Sequence, residues 1–152
     1  PKGSRDIPVE QVPAGPGRTN LAKGEVISAI TLPPRGKNGG DAYLRFIPRT
    51  EMDIAVVGCA VSLRLQGDKI VEARVALGAV APTVILSEAA AKAIIGTTLD
   101  EAALAALAKA AEAEAKPISD KRGTKEFRID VAGVLARRAA KIAYDRAKGM
   151  SK

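Results

Sequence analysis

Histidine and tryptophan are absent from this 152-residue sequence, and cysteine occurs once, at Cys59. Histidine is the commonest general base and the commonest zinc ligand of proteins. Without histidine, and with a single thiol, no convincing metal site and no Cys–His pair can be assembled. One cysteine forms no internal disulfide, and its position in the apolar run 56–61 favours a buried thiol. We therefore predict neither a catalytic residue nor a metal ligand in this chain.

Long apolar runs are also missing. No stretch approaches the roughly 18 apolar residues that a membrane span requires. No basic stretch followed by an apolar one opens the chain, as a secretion signal would. These absences predict a soluble, cytoplasmic protein without a membrane span.

Aromatic residues make up 3% of the sequence, although its net charge of +7 raises the question of nucleic-acid binding. The basic residues are scattered and many stand beside acids. No aromatic ladder accompanies them, as it would in a surface on which bases stack. The densest cluster is Arg137 and Arg138 with Lys141. We interpret it as a solvated helix face with some affinity for an anionic partner, and we expect no nucleic-acid function.

The first quarter of the chain differs in character from the rest. Residues 1–24 are rich in proline and glycine, which predicts an extended, turn-rich segment. The apolar run 25–32 is stopped by Pro33 and Pro34, as expected of a strand. The glycine-rich stretch 35–41 is the best candidate for a boundary. We therefore divide the chain into residues 1–34 and a domain at 42–148.

A β-rich block follows that boundary. Residues 42–47 alternate, which places Tyr43 and Arg45 on one face of a strand. The longer runs 56–65 and 70–80 match in length. Gly67-Asp68 between them is a two-residue hairpin signal, in which glycine supplies the positive φ.

The remainder reads as three helices. Ser87 is a candidate N-cap for a helix at 88–95, and Asp100 for one at 101–115. A third helix is predicted at about 124–148. Apolar residues recur near the helical period and predict its buried stripe: Phe127, Val131, Val134, Leu135 and Ile142. The fold class is therefore α+β, with a three-stranded antiparallel sheet covered on one face by about three helices.

Three short clusters could carry function. Gly15–Thr19 places a basic side chain in a glycine-rich turn, which suits either an ordinary turn or an anion site. Arg45, Arg49 and Asp53 flank a bend at Pro48, and we leave open whether an Arg–Asp pair there is structural or functional. The third cluster comprises 79–83, 117–122 and 127–128, and we interpret it as mostly architectural.

The order of these pieces carries a resemblance. The sequence contains Gly15-Pro-Gly-Arg-Thr19, Gly24-Glu25 and Arg49-Thr-Glu-Met-Asp-Ile-Ala55. Further along it contains Ala76-Leu-Gly-Ala-Val-Ala-Pro82, Pro117-Ile-Ser-Asp120, Phe127-Arg128 and Leu135-Ala-Arg-Arg-Ala139. Together they resemble the medium, FAD-carrying subunit of carbon monoxide dehydrogenase and related molybdenum hydroxylases, a family that includes xanthine dehydrogenase. The resemblance covers nearly the whole chain.

The resemblance implies a domain like the C-terminal domain of the CO dehydrogenase flavoprotein at 42–148, preceded by the tail of the central FAD-binding domain at 1–34. In this family a large subunit oxidises substrate at molybdopterin. Electrons then pass through [2Fe-2S] clusters of a small subunit to FAD in the medium subunit, and on to an external acceptor. The chain would be a fragment of an oxidoreductase subunit, inactive alone, which closes the flavin site and docks both partner subunits. The alternative is a stand-alone, non-catalytic scaffolding domain for an anionic partner.

The resemblance also assigns flavin-contacting positions, which are Gly17, Arg18, Arg45, Met52 and Asp53. Arg45 stands where relatives place a basic residue near the flavin, and a cation there would stabilise the anionic reduced ring. Two residues depart from the family pattern. Glu51 replaces a small residue before Met-Asp-Ile-Ala, and Pro48 replaces a basic or small one.

Overall fold

The computed structural model describes residues 3–34, 36–50 and 52–150. A single 3₁₀ turn spans Val9–Gln11. The strands are β1 (Pro13–Gly15), β2 (Arg18–Thr19), β3 (Gly39–Phe46), β4 (Val57–Gln66), β5 (Lys69–Gly78) and β6 (Ile85–Leu86). The helices are α1 (Glu88–Ile94), α2 (Glu101–Glu114) and α3 (Lys125–Ala147).

The main sheet is antiparallel, with four strands in the order β3-β4-β5-β6. The predicted hairpin is confirmed, because Gln66 pairs with Lys69 across a turn in which Gly67 has φ 59°. The α+β class with three helices is confirmed as well. The prediction of three strands is wrong, because β6 adds a fourth at the edge of β5. That strand has two residues, which is too short for an alternating pattern to reveal.

The strand predicted at 25–32 is wrong for this chain. These residues form no strand, and their large apolar side chains are exposed: Val26, Ile27, Ile30 and Leu32. A strand requires a neighbour for its N–H and C=O groups, and none of the described residues provides one. The preceding residues do pair, since β1 and β2 form a small antiparallel hairpin.

An ion pair fastens this first segment. Both oxygens of the Glu25 carboxylate accept hydrogen bonds from Arg5, each at 2.8 Å. A further bond from the backbone N–H of Ala22 measures 2.7 Å. These donors, the Arg5 guanidinium first, lower the pKa of Glu25 to about 2.

Side-chain caps begin all three helices. Ser87 accepts a hydrogen bond from Ala90 N at 3.1 Å, and Asp100 accepts one from Ala103 N at 2.8 Å. Thr124 accepts one from Phe127 N at 3.2 Å. Each cap satisfies a backbone N–H that the first helical turn leaves free. The two caps predicted from the sequence, Ser87 and Asp100, are confirmed.

The buried face of α3 differs from the predicted stripe. Leu135 is buried as expected, but Phe127 and Val134 are 42% and 44% exposed, and Val131 and Ile142 are only partly buried. The buried face consists mainly of alanines, namely Ala132, Ala136, Ala139, Ala140, Ala143 and Ala147. Small side chains let the axis of α3 lie close to β3 and β4. This close fit decided which face of α3 is buried more than the size of its apolar side chains did.

The core lies between the sheet and the helices. Alternate residues of β4 face it, among them Val57, Cys59, Val61 and Leu63. Cys59 is fully buried, and burial raises the pKa of its thiol to about 12, so it remains protonated. The predicted structural role of this cysteine is confirmed. Within the described ranges, no helix is both long and apolar enough to cross a membrane.

Candidate functional site

The loop 47–55, followed by Val56, joins β3 to β4. Pro48 has no backbone N–H, so regular pairing stops after Phe46. The base of the loop is closed by a hydrogen bond from Val56 N to Phe46 O at 2.9 Å. Glu51, one of the two departures from the family pattern, lies outside the described residues.

Asp53 anchors this loop. Its side chain is 5% exposed and lies between two guanidinium groups. Arg49 Nε donates to Asp53 Oδ2 at 3.3 Å, and Arg122 Nε lies 3.7 Å from Asp53 Oδ1. The hydrogen bond from Arg49, followed by one from the backbone N–H of Ile54, holds the pKa of Asp53 below its ordinary value. The carboxylate is therefore charged at neutral pH and fastens the loop.

The tip of the loop points away from the protein. Met52 is 96% exposed and has φ 50°, and Ile54 is exposed as well. A left-handed conformation costs a non-glycine residue roughly 1–2 kcal/mol, so it persists only where neighbours hold it. One such contact is the 3.4 Å hydrogen bond from Arg49 Nη2 to Met52 O. The loop thus presents an apolar tip on a fixed base.

A second ion-pair cluster lies behind the loop. Arg128, which is 4% exposed, donates to Val56 O at 2.9 Å and to Asp120 Oδ1 at 2.6 Å. The backbone N–H of Arg122, and then the Arg128 guanidinium, lower the pKa of Asp120. Arg122 touches both clusters, because its Nη1 lies 4.0 Å from Asp120 Oδ2. The architectural interpretation of 117–122 and 127–128 agrees with these contacts. What the sequence did not reveal is that Arg122 joins them to Asp53.

Arg45 occupies different surroundings. It lies on β3 and is one of the residues that line an open depression of about 500 Å³ between β3 and α3. We call this feature the α3 depression; its lining residues are Leu44, Arg45, Phe46, Leu135, Arg138, Lys141 and Ile142. Within the described part of the chain, Arg45 and Arg138 make no ion pair or side-chain hydrogen bond. The sequence singled out Arg45 and the Arg138–Lys141 cluster separately, and folding brings them together.

Gly17 and Arg18 lie in the β1–β2 hairpin. Gly17 has φ 65°, as a tight turn requires, and the Arg18 guanidinium folds back over Gly15. Among the described residues, no hydrogen bond or ion pair joins this hairpin to Arg45, Met52 or Asp53. The five predicted positions therefore form three groups in this structure, which are the hairpin, the α3 depression and the 47–55 loop.

The described residues contain no group of three or more Cys, Asp or Glu side chains placed to hold a metal ion. The three groups offer charge and contact, with cations at Arg18 and Arg45 and an apolar surface at Met52. Such groups can position and stabilise a bound molecule, but they do not include a nucleophile paired with a base.

Comparison with known proteins gives a consistent result. Residues 42–143 match the model of the CO dehydrogenase flavoprotein C-terminal domain. The chain is 38% identical over 148 residues to the carbon monoxide dehydrogenase medium chain of Afipia carboxidovorans, covering 97% of this chain and 51% of that protein. It is 31% identical over 150 residues to the putative xanthine dehydrogenase FAD-binding subunit of Escherichia coli, covering 98% of this chain and 51% of that one.

Solved structures show the same likeness. A chain of reconstituted CO dehydrogenase from Oligotropha carboxidovorans superposes with a TM-score of 0.90 at 36% identity, covering 96% of this chain and 51% of that one. A chain of quinoline 2-oxidoreductase from Pseudomonas putida superposes with a TM-score of 0.85 at 28% identity, covering 97% and 50%. This chain spans about half the length of the relatives it matches. On the extent and identity of these matches, the chain belongs to the CO dehydrogenase flavoprotein C-terminal domain family.

Proposed function

We propose that this chain is the C-terminal part of the FAD subunit of a molybdenum hydroxylase, in which it closes over the flavin and docks partner subunits. The observation that carries the proposal is the anchored 47–55 loop. An apolar tip in water is unfavourable, yet Asp53 and Arg49 hold Met52 in that position. A fixed apolar tip suits contact with a flat apolar group, and a flavin ring is such a group. Support also comes from relatives described as medium chains and FAD-binding subunits.

The division of the chain belongs to the same proposal. We assign 1–34 to the tail of a central FAD-binding domain and 42–148 to the C-terminal domain. Within the described ranges, the hydrogen bonds of residues 3–34 join partners inside that segment. This independence favours a segment whose other neighbours belong to a longer subunit.

The residues present suit FAD in part. Arg18 and Arg45 are exposed guanidinium groups without an acidic partner in the described chain, as contacts to an anionic group require. Arg45 would stabilise negative charge on the reduced ring, while Met52 and the Asp53-anchored backbone would cover it and exclude water. Gly17 and Arg18 would approach from the other side. When bound, FAD would supply the redox chemistry, with electrons expected from [2Fe-2S] clusters of a small subunit and, before them, from molybdopterin in a large subunit.

The scaffolding alternative has less support. It rested on a net charge of +7 available to an anionic partner, but part of the densest basic cluster is already paired. Glu101 accepts hydrogen bonds from Arg137 at 2.8 Å and from Lys141 at 3.2 Å. The relatives that match nearly the whole chain are oxidoreductase subunits. We expect this chain alone to lack oxidoreductase activity.

The test uses the full-length subunit loaded with FAD. Arg45→Gln removes a cation that stabilises the anionic reduced flavin, so the flavin midpoint potential should become more negative. Asp53→Asn removes the charge that anchors the loop, so less FAD should remain bound after gel filtration. Potential is measured by spectroscopic redox titration, and FAD content by visible absorbance.

The matched control is Lys109→Gln, which removes an exposed cation from α2, away from all three groups. It should leave both the potential and the FAD content unchanged. If Arg45→Gln and Asp53→Asn behave like this control, the residues do not contact the flavin. If the purified full-length subunit contains no flavin at all, the proposed function is wrong.

A further inference from the structure

Helix α3 carries apolar side chains outside its packed face as well as on it. Its alanines pack against β3 and β4, as the fold requires. At 3.6 residues per turn, Phe127 and Val134 lie on the opposite side of the helix from those alanines. Both are only partly covered by the described chain, at 42% and 44% exposed. A surface helix normally keeps that side polar, and exposed Asp130 and Arg138 do share it. Phe127 and Val134 are therefore two exposed apolar side chains among charged ones.

The α3 depression adjoins this outward face. Its floor is apolar, because Leu44, Leu135 and Ile142 lie between the strand and the helix. Phe46 stands at one end, with its ring in edge-to-face contact with Phe127 at a centroid distance of 5.8 Å. The apolar surface therefore continues from the depression onto the outward side of α3.

Cations line the depression. Arg45, Arg138 and Lys141 all line the depression, and none of its lining residues is acidic. In the described chain Arg138 has no acidic partner, and Lys141 shares Glu101 with Arg137. Arg45 and Arg138, which have no acidic partner in the described chain, produce a positive potential where apolar contact is also available. The complementary ligand carries carboxylates around a large apolar side chain.

We propose that the α3 depression and the outward face of α3 dock an acidic segment of a partner subunit, anchored by a large apolar side chain. The inference rests on the proposed function, because it takes the partner from the same assembly. A helix or strand with aromatic or aliphatic anchors and flanking carboxylates fits both the apolar floor of the depression and the cations at its edge. Docking here places the partner beside Arg45, the residue assigned to the flavin, which is where an electron donor is needed. Because Arg45 is also assigned to the flavin, a change at this position could not separate the two roles, and the test leaves Arg45 unchanged.

The test uses the full-length subunit purified with its partner subunits. The photo-crosslinker p-benzoylphenylalanine replaces the exposed residue at position 134, and a second protein carries it at position 109 on α2. After irradiation, mass spectrometry identifies the crosslinked peptide. We expect position 134 to capture an acidic partner-subunit peptide that contains a large apolar residue, and position 109 to capture none. Capture of the subunit's own chain, a lipid or a nucleic acid, or of no peptide, overturns the proposal.

A charge reversal gives an independent readout. Arg138→Glu should weaken the association with the partner about tenfold, since charges of one sign at the edge of the depression guide and hold an oppositely charged segment. Lys109→Glu should leave the association unchanged. The thermal melt of Arg138→Glu must match that of the parent, which its exposed position favours; if it does not, the crosslinking result at position 134 alone decides.

The FAD content separates this inference from the proposed function. Loss of the partner with FAD retained supports the docking surface. Loss of FAD together with the partner overturns it, because the surface would then belong to the flavin site. A subunit that purifies with FAD and binds no partner overturns the docking inference and leaves the FAD role intact.

Discussion

At the scale of single residues, the ion pairs around the 47–55 loop join more residues than their spacing in the sequence predicts. Arg49 and Asp53 stand four residues apart, so a structural pair was one of two open interpretations. The structure supplies that pair and adds Arg122, 69 positions further along than Asp53. No local pattern links residues so far apart, because only the folded chain brings them together. Whether Met52 and Asp53 also contact a flavin stays a prediction.

Asp120 offers a pH-dependent test of this cluster. Its pKa is lower in the folded protein than the ordinary Asp value of 3.8, chiefly because of the Arg122 N–H and the Arg128 guanidinium. The stabilising contribution is therefore complete above about pH 4 and is lost as pH falls through the folded-state value. Asp120→Asn should destabilise the protein at pH 7, because Arg128 stays buried without a charged partner. The gap between the melting temperatures of wild type and variant should narrow below pH 4.

Asp130→Asn is the control for this prediction. Asp130 is exposed on α3 and is not one of the residues around Arg128. This variant should follow the wild-type melting profile over the whole pH range. A gap for Asp120→Asn that stays constant down to pH 2.5 would show that the carboxylate charge contributes nothing to stability.

At the scale of elements, the sequence located the helices and misjudged the buried face of one of them. Cap residues and breakers are local signals, and so the bounds of all three helices were predicted to within two residues at each end. Which face of α3 is buried depends on what packs against it. The alanine face fits close to β3 and β4, whereas Phe127 and Val134 would hold the helix further away. The prediction from helical periodicity relied on the large apolar residues and therefore selected the wrong side of α3 as buried.

The same close approach makes a prediction about glycine. A Cβ on Gly40 of β3 would overlap the carbonyl oxygen of Ala143 and would lie 2.6 Å from the backbone N of Ala147. Both are helix backbone atoms and neither can move aside alone. Gly40→Ala should therefore lower the free energy of unfolding by about 1–3 kcal/mol, the usual cost of overpacking. Urea denaturation measures this loss of unfolding free energy, provided that wild type and variant have the same m-value.

Gly133 of α3 is the matched comparison. A Cβ there would also overlap a neighbour, but that neighbour is the carboxylate end of Glu112, which is flexible. Alanine in a helix interior gains about 1 kcal/mol over glycine, which offsets the displacement of Glu112. Gly133→Ala should therefore remain within about 1 kcal/mol of wild type. Equal losses for both glycines would mean that α3 does not approach β3 as closely as described.

At the scale of the whole molecule, the α+β domain is complete in its own core, whereas residues 3–34 are not. The sheet, the helices and the alanine interface supply each other's partners. The run 25–32 has the composition of a strand and lies exposed, and no described residue pairs with it. Its residue types indicate β propensity, but they could not reveal that the described chain offers it no strand to pair with. Propensity describes a surface that fits a sheet, and a sheet must still be present.

Amide hydrogen exchange tests whether that partner belongs to a longer subunit. In the 152-residue chain, the amides of 25–32 should exchange almost as fast as those of an unstructured peptide, because no ladder protects them. In a full-length subunit of the length found in the relatives, the same amides should exchange on the order of a hundredfold more slowly. The amides of the β4–β5 hairpin serve as the internal control, since their ladder is present in both proteins. Slow exchange of 25–32 in the short chain would show that the run finds a partner within it. Fast exchange in both proteins would show that the run is not a strand of the central domain, and the assignment of 1–34 to that domain would be wrong.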